Sequence, residues 1–363
     1  MAKNNNLHAA KAAKNDEFYT RYEDISKEIQ KGSNGYRPFF KDKVVYCNCD
    51  DPERSNFWKY FKDVFDLLHL KKLIFTHYDP KGESNYKFEY DGKKVVKTKL
   101  EGNGDFRSEE CIELLKQSDI VVTNPPFSLF REYIELLMKH NKKFAIIGNK
   151  NAITYKEIFP LIKDNKLWLG YSSPSKFITP GGEITNQVNG LCRWYTNLDI
   201  PKRHEPIESA WEYEKGKKLG LYPKYDNYDA INIDKVCQIP LDYDGVMGVP
   251  ITFLDRYCPE QFEIVAFRKG DDGKDLVFSR EREREFNRTF ESLSREDKVA
   301  TANVRGWSEE ILQNIDQGKI ELVDLFYPPR LAIMGVLNHP NETLLNGQHT
   351  YKRILIRRKS ENN

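Results

Sequence analysis

Between residues 41 and 200 the chain alternates short apolar runs with amphipathic stretches, and this alternation limits its fold more than any other feature. The apolar runs have the length of β-strands and lie in "KDKVVYCNCDDP" (Val44 to Cys49), "KKLIFTHYDP", "DIVVTNPPF" and "KKFAIIGNK". The stretches between them place apolar residues three and four positions apart, the spacing of a helix with one buried face. Strands that alternate with helices favour a parallel sheet with helices on both faces. We therefore predict an α/β fold.

Local signals predict the elements around these strands. Ser55 or Asn56 suits the N-cap of a helix over "SNFWKYFKDVFDLLHL", because both side chains accept hydrogen bonds from the first N–H groups of a helix. Asp91-Gly92 predicts the turn of a β-hairpin within "KFEYDGKKVVKTKLEG". Two more amphipathic helices are predicted over "RSEECIELLKQS" and "SLFREYIELLMKHN".

The amino-acid composition and residue pattern of the sequence change near residue 205. Beyond it come segments rich in Tyr, Pro and Gly, an Arg/Glu run at 279–288 typical of a solvent-exposed helix, and a β-rich C-terminus. The assignment of 230–270 stays open, because "GVPITFLDRY" is compatible with packing on the first domain. The predicted parts are a flexible N-terminal arm at 1–16, a first domain at 17–205 and a mixed α+β region at 206–363.

Composition and charge exclude several classes of protein. The 57 basic and 55 acidic residues give a net charge of +2, unlike that of a protein that coats nucleic acid by charge alone, although local basic patches remain compatible with DNA binding. No apolar run reaches the roughly 18 residues of a membrane span, and the N-terminus lacks the apolar block of a signal peptide. The six cysteines form no C-x-x-C pair. We expect a cytoplasmic protein with reduced thiols, no membrane contact and no metal site.

The strand "DIVVT" ends in the loop "NPPF", whose residue types suit the binding of a flat, amino-bearing base. Pro125 and Pro126 fix φ twice and remove two N–H donors. The result is a rigid loop with two acceptors, the Asn124 side-chain oxygen and the Pro125 carbonyl, beside the ring of Phe127. The alternative is structural, with Asn-Pro-Pro as a turn and Phe127 in the core. The strand before the loop and the helix after it favour the functional interpretation.

Two fixed acceptors suit a specific chemistry. When both protons of an exocyclic amino group are hydrogen-bonded, its nitrogen is drawn towards sp³ geometry and its lone pair is localised for attack on an electrophilic methyl group. This is electrostatic preorganisation and needs no covalent nucleophile. An aromatic ring would stack on a base rotated out of a duplex. The candidate catalytic residues are Asn124, Pro125, Pro126 and Phe127.

Stretches in a fixed order resemble the EcoRI-type adenine-specific DNA methyltransferases, namely "KNDEFYTRYEDI", "KVVYCNCDDPERSNFWKYF", "GDFRS", "SDIVVTNPPFSLFREYI" and "FAIIGNKNAITYKEIF". The similarity is strong to about residue 200 and thinner afterwards, where "GVPITFLDRY" and "RILIRRK" continue it. The resemblance implies a Rossmann-like class I methyltransferase sheet, S-adenosylmethionine as cofactor and gamma-class motif order with C-terminal target recognition. It also implies methyl transfer to N6 of an adenine flipped out of double-stranded DNA. A bacterial or phage-encoded enzyme is implied, in a restriction-modification, phage or orphan setting, with a cognate restriction endonuclease not required for activity.

The resemblance also implies cofactor-binding residues. The first turn, "CNCDDPERSN", lacks the usual glycine, and either Asp50 or Asp51 is expected at the methionine ammonium, with helix capping as the alternative role. The ribose partner stays open among Thr76, His77 and Asp79. Asp105 is expected to accept from the cofactor adenine and Phe106 to pack on its ring, unless Asp105 is only part of a Gly-rich turn. The full set is Tyr19, Thr20, Cys49, Asp50, Asp51, Asp105, Phe106 and Asn124.

Basic residues beyond the loop are candidates for contacts with DNA phosphates. They are Lys202, Arg203, Arg268, Lys269, Arg353 and Arg357, with His204 and Arg358 adjacent and Lys3, Lys11 and Lys14 in the arm.

Two other interpretations are kept. In one, the same loop methylates another amino group: an RNA adenine, cytosine N4 or a protein glutamine. In the other, the chain is a catalytically silent DNA-binding protein, which the intact "NPPF" and "GDF" motifs disfavour. Methyl-transfer assays on DNA, RNA and protein separate the acceptors, and failure to bind the cofactor would favour the silent protein.

Overall fold

The computed structural model describes residues 19–31, 35–80, 85–179, 182–185, 190–225, 229–267, 294–299, 309–317, 343–345, 348–350 and 352–359. The predicted arm, the Arg/Glu run, Arg268 and Lys269 lie outside the described residues. The chain divides into two compact units, the first extending to Arg203 and the second beginning at His204.

The first unit contains helices and strands in alternation. Its helices include α1 (Tyr22–Ile29), α2 (Arg37–Phe40), α3 (Asn56–Asp63), α4 (Glu109–Gln117), α5 (Phe130–Lys139) and α6 (Phe159–Lys163). Its strands include β1 (Tyr19–Thr20), β2 (Val44–Cys47), β3 (Lys72–Phe75), β4 (Tyr86–Tyr90), β5 (Val95–Lys99), β6 (Ile120–Thr123), β7 (Lys143–Asn149), β8 (Trp168–Leu169), β9 (Phe177–Ile178), β10 (Ile184–Thr185) and β11 (Cys192–Thr196).

Eight of these strands form one sheet, in the order β5-β4-β3-β2-β6-β7-β11-β8. The central strands β3, β2, β6 and β7 are parallel, whereas β4, β5 and β11 pair antiparallel with their neighbours. The α/β class is confirmed, but the sheet is mixed, because the Asp91-Gly92 turn joins β4 to β5 as an antiparallel hairpin. Both faces of the central strands are buried: Val45 and Val122 belong to a core cluster with α1 and α3, and Tyr46 and Val121, of opposite parity, are also buried.

Helix α3 shows how local sequence and packing combine. Ser55 is the N-cap, and its Oγ accepts from the N–H of Phe57 at 3.1 Å. Phe57 and Phe61 are fully buried. The helix ends at Asp63, earlier than the sequence pattern suggested, and the chain continues to Leu70 in hydrogen-bonded turns that still bury its apolar side chains.

A small second sheet, β1-β9-β10, brings the "FYT" segment against residues far along the chain, since Thr20 is opposite Phe177. Glu28 of α1 supports the segment that leads to β9. Its buried carboxylate accepts from the N–H groups of Tyr171 and Ser172, at 2.7 and 2.6 Å, from the Ser172 hydroxyl and from Tyr36. Burial raises the pKa of Glu28, and these hydrogen bonds oppose that rise.

The second unit is built on another mixed sheet, whose strands lie in the order β12 (Ala230–Asn232), β13 (Val246–Pro250), β17 (Arg353–Arg358) and β14 (Phe262–Phe267). A separate two-stranded pair is formed by β15 (Leu344–Leu345) and β16 (Gln348–His349). Tyr225 and Leu355 lie in its core. Among the described residues of the chain, no helix is both long and apolar enough to cross a bilayer. The described helices of this unit include α7 (Tyr213–Lys218) and α8 (Glu309–Asp316).

Candidate active site

The candidate site lies at the carboxyl ends of β2 and β6. From β2 the chain reaches β3 on one side through α3, while β6 occupies the other side, so the direction of winding reverses at β2. Open α/β sheets bind ligands in the crevice beyond such a reversal. The turn after β2 contains Cys49, Asp50 and Asp51, and the loop after β6 begins at Asn124.

The loop after β6 is short and held at both ends. Pro125 is buried, and a 3-10 turn at Phe127–Leu129 leads directly into α5, with the N–H of Leu129 donating to the Pro126 carbonyl at 3.0 Å. Phe127 is half-buried and packs against the main core cluster. The side-chain oxygen of Asn124 is buried. The structure thus gives Phe127 a packing role, in line with the structural alternative, and leaves the residue partly exposed.

Asp50 joins the two strand ends. Its Oδ1 accepts from the Ser55 hydroxyl at 3.0 Å, and its Oδ2 accepts from the Thr123 hydroxyl and from the N–H of Asn124 at 3.4 Å. The residue is only 4% exposed. Burial raises the pKa of Asp50 to about 6, although the three hydrogen bonds favour the ionised form.

The neighbours of Asp50 have different surroundings. The carboxylate of Asp51 accepts from the N–H of Glu53 at 2.9 Å and lies 3.9 Å from the guanidinium of Arg54, with 22% of its side chain exposed. Burial raises the pKa of the Cys49 thiol well above its usual range, and the nearby Asp50 adds to that rise. Both effects favour the neutral form of the Cys49 thiol within the turn.

The "GDF" loop packs directly on the end of β3. Gly104 has a φ of +76°, and a Cβ at that position would lie 1.9 Å from the His77 carbonyl oxygen, so the close approach requires glycine. Asp105 accepts from Arg107 at 2.7 Å, and this partner lowers the pKa of Asp105. Phe106 is 5% exposed and meets Tyr133 edge to face, with the ring centroids 5.0 Å apart.

Tyr133 is a residue that the sequence did not single out. Its hydroxyl donates to the side-chain oxygen of Asn48, the first residue after β2, so it connects α5, the "GDF" loop and the turn after β2. The only signal in the sequence was a hydroxyl on an otherwise hydrocarbon helix face, formed by Phe130, Ile134 and Leu137. Thr123 was also missed, although its position directly before Asn124 marks it as the last side chain of β6.

The "FYT" segment lies beside the first turn, because the Asn56 side chain at the start of α3 donates to the Thr20 carbonyl at 2.9 Å. Tyr19 is partly exposed and Thr20 is buried. Contacts thus bring together three of the predicted cofactor-binding segments, at the ends of β1, β2 and β6, and link the fourth, the "GDF" loop, through Tyr133.

Buried polar atoms in this region fit a polar cofactor. Within the described part of the chain, Thr20 Oγ1, Asn48 Nδ2 and His77 Nδ1 are buried and make no hydrogen bond to protein. Burying such a group without a hydrogen bond lowers the stability of the fold, unless a ligand or water forms a hydrogen bond with it. Of the three ribose candidates, Thr76 already shares a hydrogen bond with the Tyr46 hydroxyl at 2.8 Å, and the backbone N–H of Asp79 donates to the Asn103 carbonyl.

The described DNA-contact candidates all have protein partners. Lys202 donates to the Gly170 carbonyl, and the Arg203 guanidinium lies 3.8 Å over the Trp168 ring. Arg353 donates to Asn232 at 2.9 Å and Arg357 to Glu263 at 3.0 Å. Their role toward DNA stays a prediction. In the described ranges, no group of three or more His, Cys, Asp and Glu side chains is arranged to hold a metal ion.

Comparison with known proteins gives the class first. M.EcoRI of Escherichia coli is 52% identical over an alignment of 308 residues that covers 76% of this chain and 93% of that protein. M.MpnI of Mycoplasma pneumoniae is 44% identical over 277 residues, 70% of this chain and 83% of that protein. M.MgeORF184P of Mycoplasma genitalium is 43% identical over 274 residues, 70% of this chain and 84% of that protein. All three are named type II methyltransferases, so the chain is a methyltransferase.

The family follows from a match that covers almost the whole chain. Residues 6–359 match the family described as adenine-specific methyltransferase EcoRI. The chain belongs to this family, which confirms the resemblance carried by the motifs. No solved structure matches the chain significantly.

Proposed function

We propose that this protein is a site-specific DNA adenine-N6 methyltransferase that uses S-adenosylmethionine. The observation that carries the proposal is the position of the Asn124–Phe127 loop, at the reversal point of the sheet and hydrogen-bonded to the turn after β2. The relatives' name, type II methyltransferase, supports DNA as the substrate. The family's name supports adenine over cytosine or a glutamine amide.

The loop would act by holding one amino group. The Asn124 side-chain oxygen and the Pro125 carbonyl accept hydrogen bonds from its two N–H groups, so the lone pair on the nitrogen is localised. Because Pro125 and Pro126 have no N–H, the loop presents acceptors rather than donors. The exposed part of the Phe127 ring stacks on the flipped adenine, while its other contacts fix it to the core. The proton that the nitrogen loses passes to solvent.

The residues around the loop would hold the cofactor. S-adenosylmethionine supplies an electrophilic methyl group on a sulfonium. We assign Asp51 to its ammonium, since Asp51 is the more exposed of the two acids in the turn. Asp105 and Phe106 bind its adenine. Asp105 accepts a hydrogen bond from the adenine amino group in place of the one that it accepts from Arg107 in the structure. Tyr19 and Thr20 close the methionine end beside Cys49, and His77 is the ribose partner, since its Nδ1 is among the buried polar atoms that make no protein hydrogen bond.

We further propose that the eight-stranded sheet is the Rossmann-like sheet of a class I methyltransferase and that the second unit contributes target recognition. The parallel central strands support the first assignment. Among the basic candidates of the second unit, Arg357, whose side chain is 43% exposed, turns to a phosphate with less loss of packing than Arg353, which is 14% exposed. A restriction endonuclease of the same specificity is the partner that the relatives' name suggests.

Transfer of a radiolabelled methyl group from S-adenosylmethionine tests this function. Duplex DNA, RNA and a protein extract are offered separately, and the labelled product is digested and identified. The expected product is N6-methyladenine from duplex DNA alone. Asn124→Ala should abolish transfer while cofactor binding largely survives. Wild-type turnover by that variant, or label found only in RNA or protein, would overturn the proposal.

A further inference from the structure

Asp50 differs from an ordinary cofactor-binding acid because protein donors already surround its carboxylate. Ser55 donates to one oxygen, and Thr123 and Asn124 donate to the other. Ser55 in turn caps α3. Only 4% of the residue is exposed. The carboxylate therefore connects the start of α3 to the end of β6.

Two of the donors to Asp50 lie directly before the prolines, one at the end of β6 (Thr123) and one at the start of the loop (Asn124). Neither Pro125 nor Pro126 has an N–H, so no backbone hydrogen bond donated by either residue can fix the loop. The N–H of Asn124 and the hydroxyl of Thr123 hold the start of the loop. Both are bound by the same oxygen of Asp50, which sets where the backbone of Asn124 lies and thus where its side chain begins.

We infer that Asp50 is a positioning residue for methyl transfer, acting through Asn124, rather than a ligand of the cofactor ammonium. The inference rests on the proposed function and refines it, because it separates the roles of two adjacent acids. Asp51, with its more exposed carboxylate, meets the cofactor, and Asp50 holds the acceptor that receives the adenine amino group.

Two substitutions at Asp50 separate geometry from charge. Asp50→Asn removes the charge but keeps one oxygen for Thr123 and Asn124, with its amide facing the Ser55 hydroxyl. Asp50→Ala removes the acceptor. With saturating cofactor and DNA, kcat is expected to fall about 100-fold in Asp50→Ala, the size of effect that a displacement of about 1 Å produces, and to be largely restored in Asp50→Asn. The cofactor Kd, measured by calorimetry, should change little in either variant.

A ligand of the ammonium would give the opposite pattern. Asp50→Asn would then weaken cofactor binding about tenfold or more, since a charge-assisted hydrogen bond is lost, while kcat at saturation survived. That result, or wild-type kcat in Asp50→Ala, would overturn the inference. Asp51→Asn is the matched comparison and should show the loss of cofactor affinity. If Asp50→Ala fails to fold, Thr123→Val tests the same contact, because it removes the hydroxyl that donates to Asp50. Its kcat should fall, whereas Thr123→Ser keeps the hydroxyl and should keep the activity.

An NMR measurement decides the inference independently of catalysis. Protein labelled with ¹⁵N-Asn and ¹³C-carbonyl Thr selects the amides of Thr-Asn pairs, which occur at 123–124, 185–186 and 196–197. The Asn124 amide signal should move in Asp50→Ala and stay in Asp51→Asn. If the wild-type protein transfers no methyl group to DNA adenine, the proposed function fails, but this signal still reports whether Asp50 holds Asn124. An unmoved signal in Asp50→Ala would contradict the inference.

Discussion

Among single residues, Asp50 contributes most to the geometry of the site, because its carboxylate connects the start of α3 to the end of β6. Asp50 is buried without a cationic partner among its described hydrogen bonds, and its ionised form is stabilised only by neutral donors. Neutral donors offset only part of the cost of taking a charge out of water. The site therefore keeps its geometry at a cost to the stability of the fold at neutral pH.

This cost predicts a specific pH dependence. Burial raises the folded-state pKa of Asp50 to about 6, above the usual 3.8, so the stabilising effect of its protonated form is complete below about pH 4 and is lost as the pH rises through about 6. Between pH 5 and pH 7 the wild-type protein should lose about 1 kcal/mol that Asp50→Asn does not lose. Urea unfolding of both proteins across this range measures the difference. Parallel pH profiles would show that Asp50 has an ordinary pKa in the folded protein.

The sequence could place both acids at the end of β2 but could not divide their roles. Asp50 and Asp51 are identical in type and adjacent, and both suited a cofactor ligand or a cap. What separates them is the contact of Asp50 with Thr123 and Asn124, more than 70 residues away. Such a contact depends on which strands become neighbours, and no local pattern encodes it.

For individual helices and strands, local sequence signals were reliable predictors where a few side chains determine the backbone conformation. The Ser55 cap of α3 and the Asp91-Gly92 hairpin turn are confirmed. The pairing of β1 with β9 was not predictable, because two-residue strands have no periodicity to detect and their register depends on distant residues. The end of α3 at Asp63 was also missed, since the following turns bury the same apolar pattern.

The "GDF" loop gives a prediction with an internal control. Gly104→Ala puts a Cβ against the His77 carbonyl and demands a positive φ, so the loop must move. Cofactor affinity is expected to fall about tenfold, the effect of roughly 1.4 kcal/mol. Gly102→Ala, whose new Cβ would find its nearest neighbour 4.0 Å away at Glu110, should leave the affinity unchanged. Calorimetric titration of both variants checks this, and equal effects would argue against a close packing of the loop on β3.

Helix α1 gives a prediction about stability. Glu28→Ala removes the carboxylate that accepts from the buried Ser172 and Tyr36 and from the partly buried N–H of Tyr171, and the loss of these hydrogen bonds is costly. Thermal or urea unfolding should show a loss of about 3 kcal/mol or more. Glu23→Ala, on the exposed face of the same helix, should change stability by less than about 0.5 kcal/mol. A Glu28→Ala protein as stable as the Glu23→Ala control would contradict the role of Glu28 in supporting the segment before β9.

At the scale of the whole molecule, strand order creates the site. The chain encodes β2, β3 and β6 in sequence, but in the sheet β2 lies between the other two, and this order places the turn after β2 beside the loop after β6. The alternation of strands and helices predicted the α/β class and the parallel centre. The Asp91-Gly92 turn predicted the β4–β5 hairpin, but no sequence signal predicted that β4 pairs antiparallel with β3 or that β11 pairs antiparallel with β7.

We propose that the protein methylates adenine N6 at a defined site in DNA through the loop at Asn124–Phe127. Single-molecule sequencing of DNA from a methylation-free bacterial host that expresses the chain tests it most directly, because it reports the base, the modified nitrogen and the sequence context together. We predict N6-methyladenine at essentially every copy of one short motif with the wild-type chain, and none with Asn124→Ala at equal expression. Methylcytosine, unmodified DNA with the wild-type chain, or unchanged methylation with the variant would contradict this account.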